Sequence, residues 1–104
     1  FMDCKSLKHV KLSKRLKQIG DYAFRGCDNL GSLTIPQSVY HIGNGSLPQH
    51  LKELHVGYKD PQKAHLYYYP LIEEETILYV PKGTKEKYQQ HEIWEDFLNI
   101  EEEP

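Results

Sequence analysis

The chain has 104 residues, enough for one domain or for a few solenoid coils around a modest core. Its hydrophobic fraction of 38% and charged fraction of 27% predict a soluble, folded protein and exclude a disordered one. No segment approaches the roughly 20 apolar residues of a membrane span, so we expect no membrane insertion by this segment.

The net charge of −2 conceals a difference between the two ends of the chain. Residues 1–25 carry seven Lys and Arg against two Asp, whereas residues 26–104 carry six Lys and Arg against thirteen Asp and Glu. A basic segment can attract phosphate or another anionic surface. Here the lysines alternate with apolar positions of a repeat, which indicates a solvated outer face, and we expect no nucleic-acid partner.

The first half of the chain repeats itself with a period of about 23 residues, and such periods are typical of solenoids. The third copy is two residues shorter, because the row of Leu33 and Ile35 continues at Leu54 and Val56 and not two positions later. The pairs of like residues are Phe1 and Phe24, Cys4 and Cys27, Leu7 and Leu30, Val10 and Leu33, Leu12 and Ile35, Leu16 and Val39, Ile19 and Ile42, and Gly20 and Gly43.

Four short segments alternate apolar, polar and apolar residues, as a half-buried strand does. The spacing predicts that each strand lies parallel to the one before it, one coil further along. A single coil cannot bury its own apolar side, but stacked coils can. The segments are Val10–Leu12, Leu33–Ile35, Leu54–Val56 and Leu78–Val80.

Between the first two strands, residues 19–27 predict a short helix or helical turn. Asp21 is a suitable N-cap for it, and Gly26 is a suitable stop. After the fourth strand, Thr84 predicts the start of a second helix that runs to about His91.

The end of the chain predicts a cover for the last coil. Trp94, Phe97 and Ile100 follow one another at three-residue steps, and we expect them to pack over the open end of the solenoid. The acidic residues 101–103 are expected to form a frayed, solvated terminus.

The pattern F-x-x-C-x-x-L-x-x-V-x-L…I-G-x-x-A-F-x-x-C-x-x-L-x-x-L-x-I-P resembles the BspA-like class of leucine-rich repeats. Residues 77–104 are similar to the closing segment of such proteins. The resemblance implies an α/β fold: a right-handed solenoid with a short parallel β-sheet, partly helical coil turns and a helical C-terminal cap. Accordingly we divide the chain into repeats at 1–56, an irregular Tyr-rich loop at 57–76, and a last strand with its cap at 77–104.

The chain begins at Phe1 in the middle of a repeat. We therefore expect further coils before it in the full-length protein. An uncapped first coil would expose apolar surface, which predicts self-association through that end.

The cysteines and histidines favour structure over chemistry. Cys4 and Cys27 hold equivalent positions in adjacent coils, which fits either two buried thiols in the core or a disulfide across strands about 4.8 Å apart. Two Cys without a paired His lack a zinc signature, so we expect no metal and no cofactor. The six His show no catalytic or metal-binding spacing, and we expect that the chain is not an enzyme.

The outward strand positions form a row of mixed character: Lys11, Thr34, His55 and Tyr79. In the resembling family this sheet face is the usual recognition surface, which implies a secreted or cell-surface bacterial adhesion protein that binds host or matrix proteins. Two alternatives remain open. One is glycan binding through Tyr79 and the Tyr67, Tyr68 and Tyr69 cluster, and the other is a purely structural cap of a longer solenoid.

Overall fold

The computed structural model describes residues 6, 8–24, 26–27, 29–43, 46–47, 51–60, 76–91, 94 and 97–104, together with the backbone of residues 65–66. These residues coil into a solenoid of parallel strands that contains one short helix. The elements in chain order are β1 (His9–Lys11), β2 (Gln18–Ile19), β3 (Ser32–Ile35), β4 (His41–Ile42), β5 (Glu53–Val56), β6 (His65–Leu66), β7 (Ile77–Val80), α1 (Lys85–Gln90) and β8 (Asn99–Glu102).

The larger sheet has five strands in the order β1-β3-β5-β7-β8, and every pair in it is parallel. His9 pairs with Ser32, Ser32 with Glu53, Glu53 with Ile77, and Ile77 with Asn99. Each strand is thus followed by its neighbour one coil later along the chain. The prediction of four short parallel strands, one coil apart, is confirmed.

The inner face of this sheet forms the core. Leu33, Ile35, Leu78 and Val80 are each 0% exposed, and Leu54 is 1% exposed. Burying one such side chain stabilises the fold by roughly 1.5–3 kcal/mol relative to leaving it in water. The stacked inner rows therefore hold the coils together, and the alternate residues of each strand face outward.

A second, three-stranded parallel sheet in the order β2-β4-β6 lies along the other side of the coils. Its strands are two residues long, too short for an alternating pattern to show in the sequence. Ile19 pairs with Ile42, and Gly43 N donates to Ile19 O at 2.8 Å. This sheet was not predicted, although the repeat aligns both isoleucines. Its last strand, β6, lies within the segment 57–76 for which the sequence predicts an irregular loop.

The prediction of partly helical coil turns, with Asp21 as a cap and Gly26 as a stop, is wrong. The described residues after β2 form turns. Tyr22 has a φ of 59°, in the left-handed region that interrupts a right-handed helix. The N–H of Phe24 donates to Ser46 O in the next coil at 3.1 Å. Contacts between coils and local turns, such as Ala23 N to Gly20 O, therefore form in place of helical hydrogen bonds.

The prediction of a helical C-terminal cap is wrong, although the helix predicted within it is confirmed. Helix α1 has Thr84 and His91 as its cap residues, as the sequence predicts, but it has only six residues. Glu101 and Glu102, two of the three residues predicted to fray, instead belong to strand β8, which pairs in parallel with β7, for example Tyr79 with Glu101. Ile100 provides an inward apolar residue in β8, opposite Leu78, and this continues the core row by one more strand.

Aromatic side chains fill the interior beneath this closing segment. Trp94 is 0% exposed, and its ring centroid lies 5.6 Å from Tyr88, 6.1 Å from Phe97 and 6.5 Å from Tyr58. Tyr88 donates its hydroxyl to Tyr58 O at 2.6 Å, and Tyr58 donates its own hydroxyl to Val39 O at 2.7 Å. The burial of both tyrosines raises their pKa. The closing segment is thereby bound to the coil that precedes it.

The N-terminus of helix α1 is capped by a side chain of strand β8. Thr84 makes no side-chain cap hydrogen bond, contrary to its predicted role, and donates Oγ1 to Pro81 O at 2.6 Å. Instead, Oε2 of Glu102 accepts the N–H groups of Gly83 at 2.9 Å and Lys85 at 3.1 Å. A carboxylate there complements the positive end of the helix.

Gly43 and Gly20 occupy equivalent positions in adjacent coils, but only Gly43 is tightly enclosed. A Cβ at Gly43 would lie 2.6 Å from Asp21 N and 2.8 Å from Gly20 C, whereas a Cβ at Gly20 would meet nothing within 4 Å. We expect Gly43→Ala to lower the free energy of unfolding by about 1–3 kcal/mol, because backbone atoms must move. Gly20→Ala should change it by less than about 0.5 kcal/mol. Urea denaturation measures both, and equal effects would contradict this coil stacking.

Glu102 and its neighbour Glu101 provide a matched pair for testing the helix cap. We expect Glu102→Ala to lower the free energy of unfolding by about 1 kcal/mol, the usual effect of losing a helix cap. Glu101→Ala makes the same change on an outward position of the same strand and should have less than about half of that effect. If urea denaturation gave the two variants the same stability, the cap would not be the reason for the loss.

Candidate binding face

The outward face of the larger sheet carries one row of aligned side chains. The strand register places Lys11 beside Thr34, Thr34 beside His55, His55 beside Tyr79, and Tyr79 beside Glu101. We call these five residues the central ladder. The first four are the row that the sequence analysis put forward as binding residues, and Glu101 extends it onto β8. Their binding role stays a prediction.

His55 lies at the middle of the central ladder and is surrounded by polar groups. Its Nε2 lies 3.0 Å from Glu53 Oε1, and its Nδ1 contacts Glu103 Oε1. Its ring stacks on Tyr79 with centroids 4.5 Å apart and planes 8° from parallel. A neutral imidazole can donate from only one nitrogen, so two carboxylate partners favour the imidazolium.

The surroundings of His55 act on its pKa in opposite directions. Partial burial lowers the pKa, because it disfavours the charged form. The hydrogen bonds and charges of Glu103 and Glu53 favour that form, and together they outweigh burial. The net result is a pKa above the ordinary value of 6.5.

A groove of about 570 Å³ lies where β1, β3 and β5 end. Three members of the central ladder line it, and the described residues of its lining include no Asp or Glu. The chain leaves the sheet at this point, so residues of the following turns complete the walls. The residues that line the groove include Lys11, Lys14, Thr34, Pro36, His55 and Val56.

The other predicted site residues have different outcomes. Tyr67, Tyr68 and Tyr69, the glycan-binding candidates, lie outside the described residues. Tyr79 does lie on the outward face, but one side of its ring is stacked on His55 and is not open to a sugar.

Cys27 is a buried thiol, 1% exposed, within the hydrophobic core. This position fits the packing interpretation of the repeat. Cys4 lies outside the described residues.

Sequence reasoning missed two parts of this face. Glu103 was assigned to a frayed terminus, yet its backbone N–H donates to Val80 O at 2.8 Å and its side chain reaches His55. The available signal was the polar-apolar-polar alternation of residues 99–101, which is typical of a half-buried strand and falls one coil after β7. The groove was missed as well, because Lys14 and Pro36 lie in turns beyond the strand pattern.

The cluster around His55 is not arranged as a metal site. Its two carboxylates approach opposite nitrogens of one ring and do not converge on a common point. Among the residues described, no group of three or more His, Cys, Asp and Glu could hold a metal ion. Within the same residues, no helix has the length and apolar character needed to cross a membrane.

Short coils, parallel strands and stacked apolar inner rows define a leucine-rich-repeat solenoid. The family model described as BspA type Leucine rich repeat region (6 copies) matches residues 1–59. The chain therefore belongs to the BspA-type leucine-rich repeat family. No curated protein and no solved structure matches the chain. Leucine-rich repeat regions generally mediate protein–protein interaction, and BspA-type repeats are usually found on bacterial surface proteins.

The ion pairs of His55 predict a specific titration. We expect the imidazole signals of His55 in NMR spectra to titrate with a pKa above 6.5, and Glu103→Gln to lower that pKa. Glu101→Gln, which removes a nearby charge without a bond to His55, is the control and should leave the pKa closer to that of the wild type.

The same pairs predict how stability depends on pH. Because the folded-state pKa is raised, their contribution is fully present below pH 6.5 and is lost as the pH rises through the folded-state pKa. Urea denaturation on both sides of that range should show the loss in the wild type and a smaller loss in Glu103→Gln. An equal loss in both proteins would show that Glu103 does not stabilise the charged ring.

Proposed function

We propose that this chain is a non-catalytic binding and adhesion module of a secreted or cell-surface bacterial protein. It binds host or matrix proteins through the outward face of the larger sheet. The observation that carries this proposal is the alignment of the central ladder beside a groove. Family membership supports the general class of function, and the ladder supports the location.

The composition of this face supports a protein partner. The central ladder combines a cation, a hydroxyl, an aromatic ring and an anion on adjacent strands, namely Lys11, Thr34, Tyr79 and Glu101. Protein interfaces use such mixtures of aromatic and polar groups. Tyr and His also lose little conformational entropy when they are already stacked, as Tyr79 and His55 are.

The fold supplies a rigid base for these side chains. The backbones of β3, β5 and β7 are paired on both sides within the sheet, so the residues on them are held at fixed spacings of about 4.8 Å. Binding through pre-positioned groups avoids the cost of ordering a loop. This property suits a module whose role is recognition.

Thr34 lies near the centre of the ladder and is the most direct position for a test. We expect Thr34→Glu to weaken binding by about tenfold or more, because a longer, charged side chain there would keep a partner from the face. Binding of the whole chain to immobilised purified matrix proteins, measured by surface plasmon resonance, checks this. Gln89→Glu adds the same charge to an exposed position of α1 and should bind as the wild type does.

Two results would contradict the proposal. If a matrix protein binds and Thr34→Glu binds it equally well, the recognition surface is elsewhere. If no protein of the panel binds, the structural alternative, a cap that closes coils which themselves bind, takes its place.

A further inference from the structure

We propose that the groove at the ends of β1, β3 and β5 binds an acidic peptide segment of a protein partner, with carboxylates placed against Lys11 and Lys14. This inference rests on the proposed function, since it names the chemistry of the partner that the same face would recognise.

The charge of the groove favours an acidic partner. Lys11 and Lys14 line it and are exposed, and neither side chain has a hydrogen bond or an ion pair with another described residue. Within the described part of the chain, their ammonium groups therefore lack a counter-charge. The other basic group of the groove, His55, already has Glu53 and Glu103 on its two ring nitrogens. An incoming carboxylate is thus directed to the lysines.

The apolar lining of the groove favours a peptide that also carries an apolar side chain. Leu12, Pro36 and Val56 also line the groove. The groove extends across three strands, or two strand spacings of about 4.8 Å. An extended peptide of a few residues spans this distance. Such a peptide places one apolar side chain beside its carboxylates. The aliphatic parts of the lysines add to this apolar surface.

The far end of the same face favours a peptide over a polyanion. Glu101 continues the central ladder on β8, and Glu53 and Glu103 flank His55. A nucleic-acid strand that followed the ladder would bring its evenly spaced phosphates against these carboxylates. A peptide can place its charges at the β1 end alone and present other groups to the acidic end.

The test uses random peptides displayed on phage and selected on the whole chain. We expect the selected peptides to be enriched in Asp and Glu next to an apolar residue. A labelled selected peptide, followed by fluorescence anisotropy, should bind Lys11→Gln/Lys14→Gln about fivefold more weakly than the wild type. Lys8→Gln/Lys17→Gln removes the same charge from exposed lysines outside the groove and should retain the affinity.

Several results would overturn the inference. One is an enrichment that does not favour acidic residues, or no enrichment at all. Another is equal weakening by the two double variants, which would indicate a general charge effect. A third is tighter binding of a labelled single-stranded RNA of equal charge than of the peptide.

Replacing every acidic residue of the peptide by its amide should reduce binding in the wild type and have little effect in Lys11→Gln/Lys14→Gln.

Thr34→Glu separates this inference from the proposed function. If Thr34→Glu abolishes peptide binding while the lysine variant and the amide peptide bind normally, the face is the binding site but its preference is not acidic. If neither Thr34→Glu nor the lysine variant has an effect, both the site and its chemistry are wrong.

Discussion

The whole structure depends on the parallel pairing of each coil with the coil before it. A single coil of this chain has an apolar side that it cannot cover alone, so the folded state exists only as a stack. The register is strict, because a slip by one residue would turn every inner leucine outward. The paired coils differ slightly in length, yet Leu33, Leu54 and Leu78 remain opposite one another. The turns absorb the difference in length.

The strands of the larger sheet could be predicted because two independent signals coincide there. The alternation of apolar and polar residues indicates a half-buried strand, and the repeat indicates which strands are neighbours. The second sheet lacks the first of these signals. Its strands, such as Gln18–Ile19, are too short for alternation, and only the equivalence of Ile19 and Ile42 pointed to a stacked position.

The turns could not be predicted from local preferences, because the neighbouring coil determines their conformation. Residues 19–27 contain helix-compatible residues, yet Gly43 N binds Ile19 O and Phe24 N binds Ser46 O across the coils. These bonds, with local turns such as Ala23 N to Gly20 O, satisfy backbone groups that a helix would pair within itself. The closing segment forms a strand because of its contact with the preceding coil as well. In an added strand the inward side chain of Ile100 is more fully buried than it would be in a frayed tail.

The central ladder was predictable for the same reason as the strands, but its chemistry was not. Sequence placed Lys11, Thr34, His55 and Tyr79 in one row, because outward positions follow once the inward ones are known. It could not show that Glu103 reaches across β7 to His55, since that contact joins residues 48 positions apart through the side chains alone. Nor could it show a groove whose walls belong to turns.

These contacts divide the outward face into two parts with different capacities for binding. At the β5–β7 part, the charge of His55 is already balanced by two carboxylates and its ring is stacked, so a new charged partner would have to displace existing bonds. At the β1 part, Lys11 and Lys14 have no such bonds to other described residues. The same contact with a partner therefore contributes more free energy of binding at the β1 part than at the β5–β7 part. In the proposed binding mode, the internally paired residues contribute rigidity, and the two groove lysines contribute affinity.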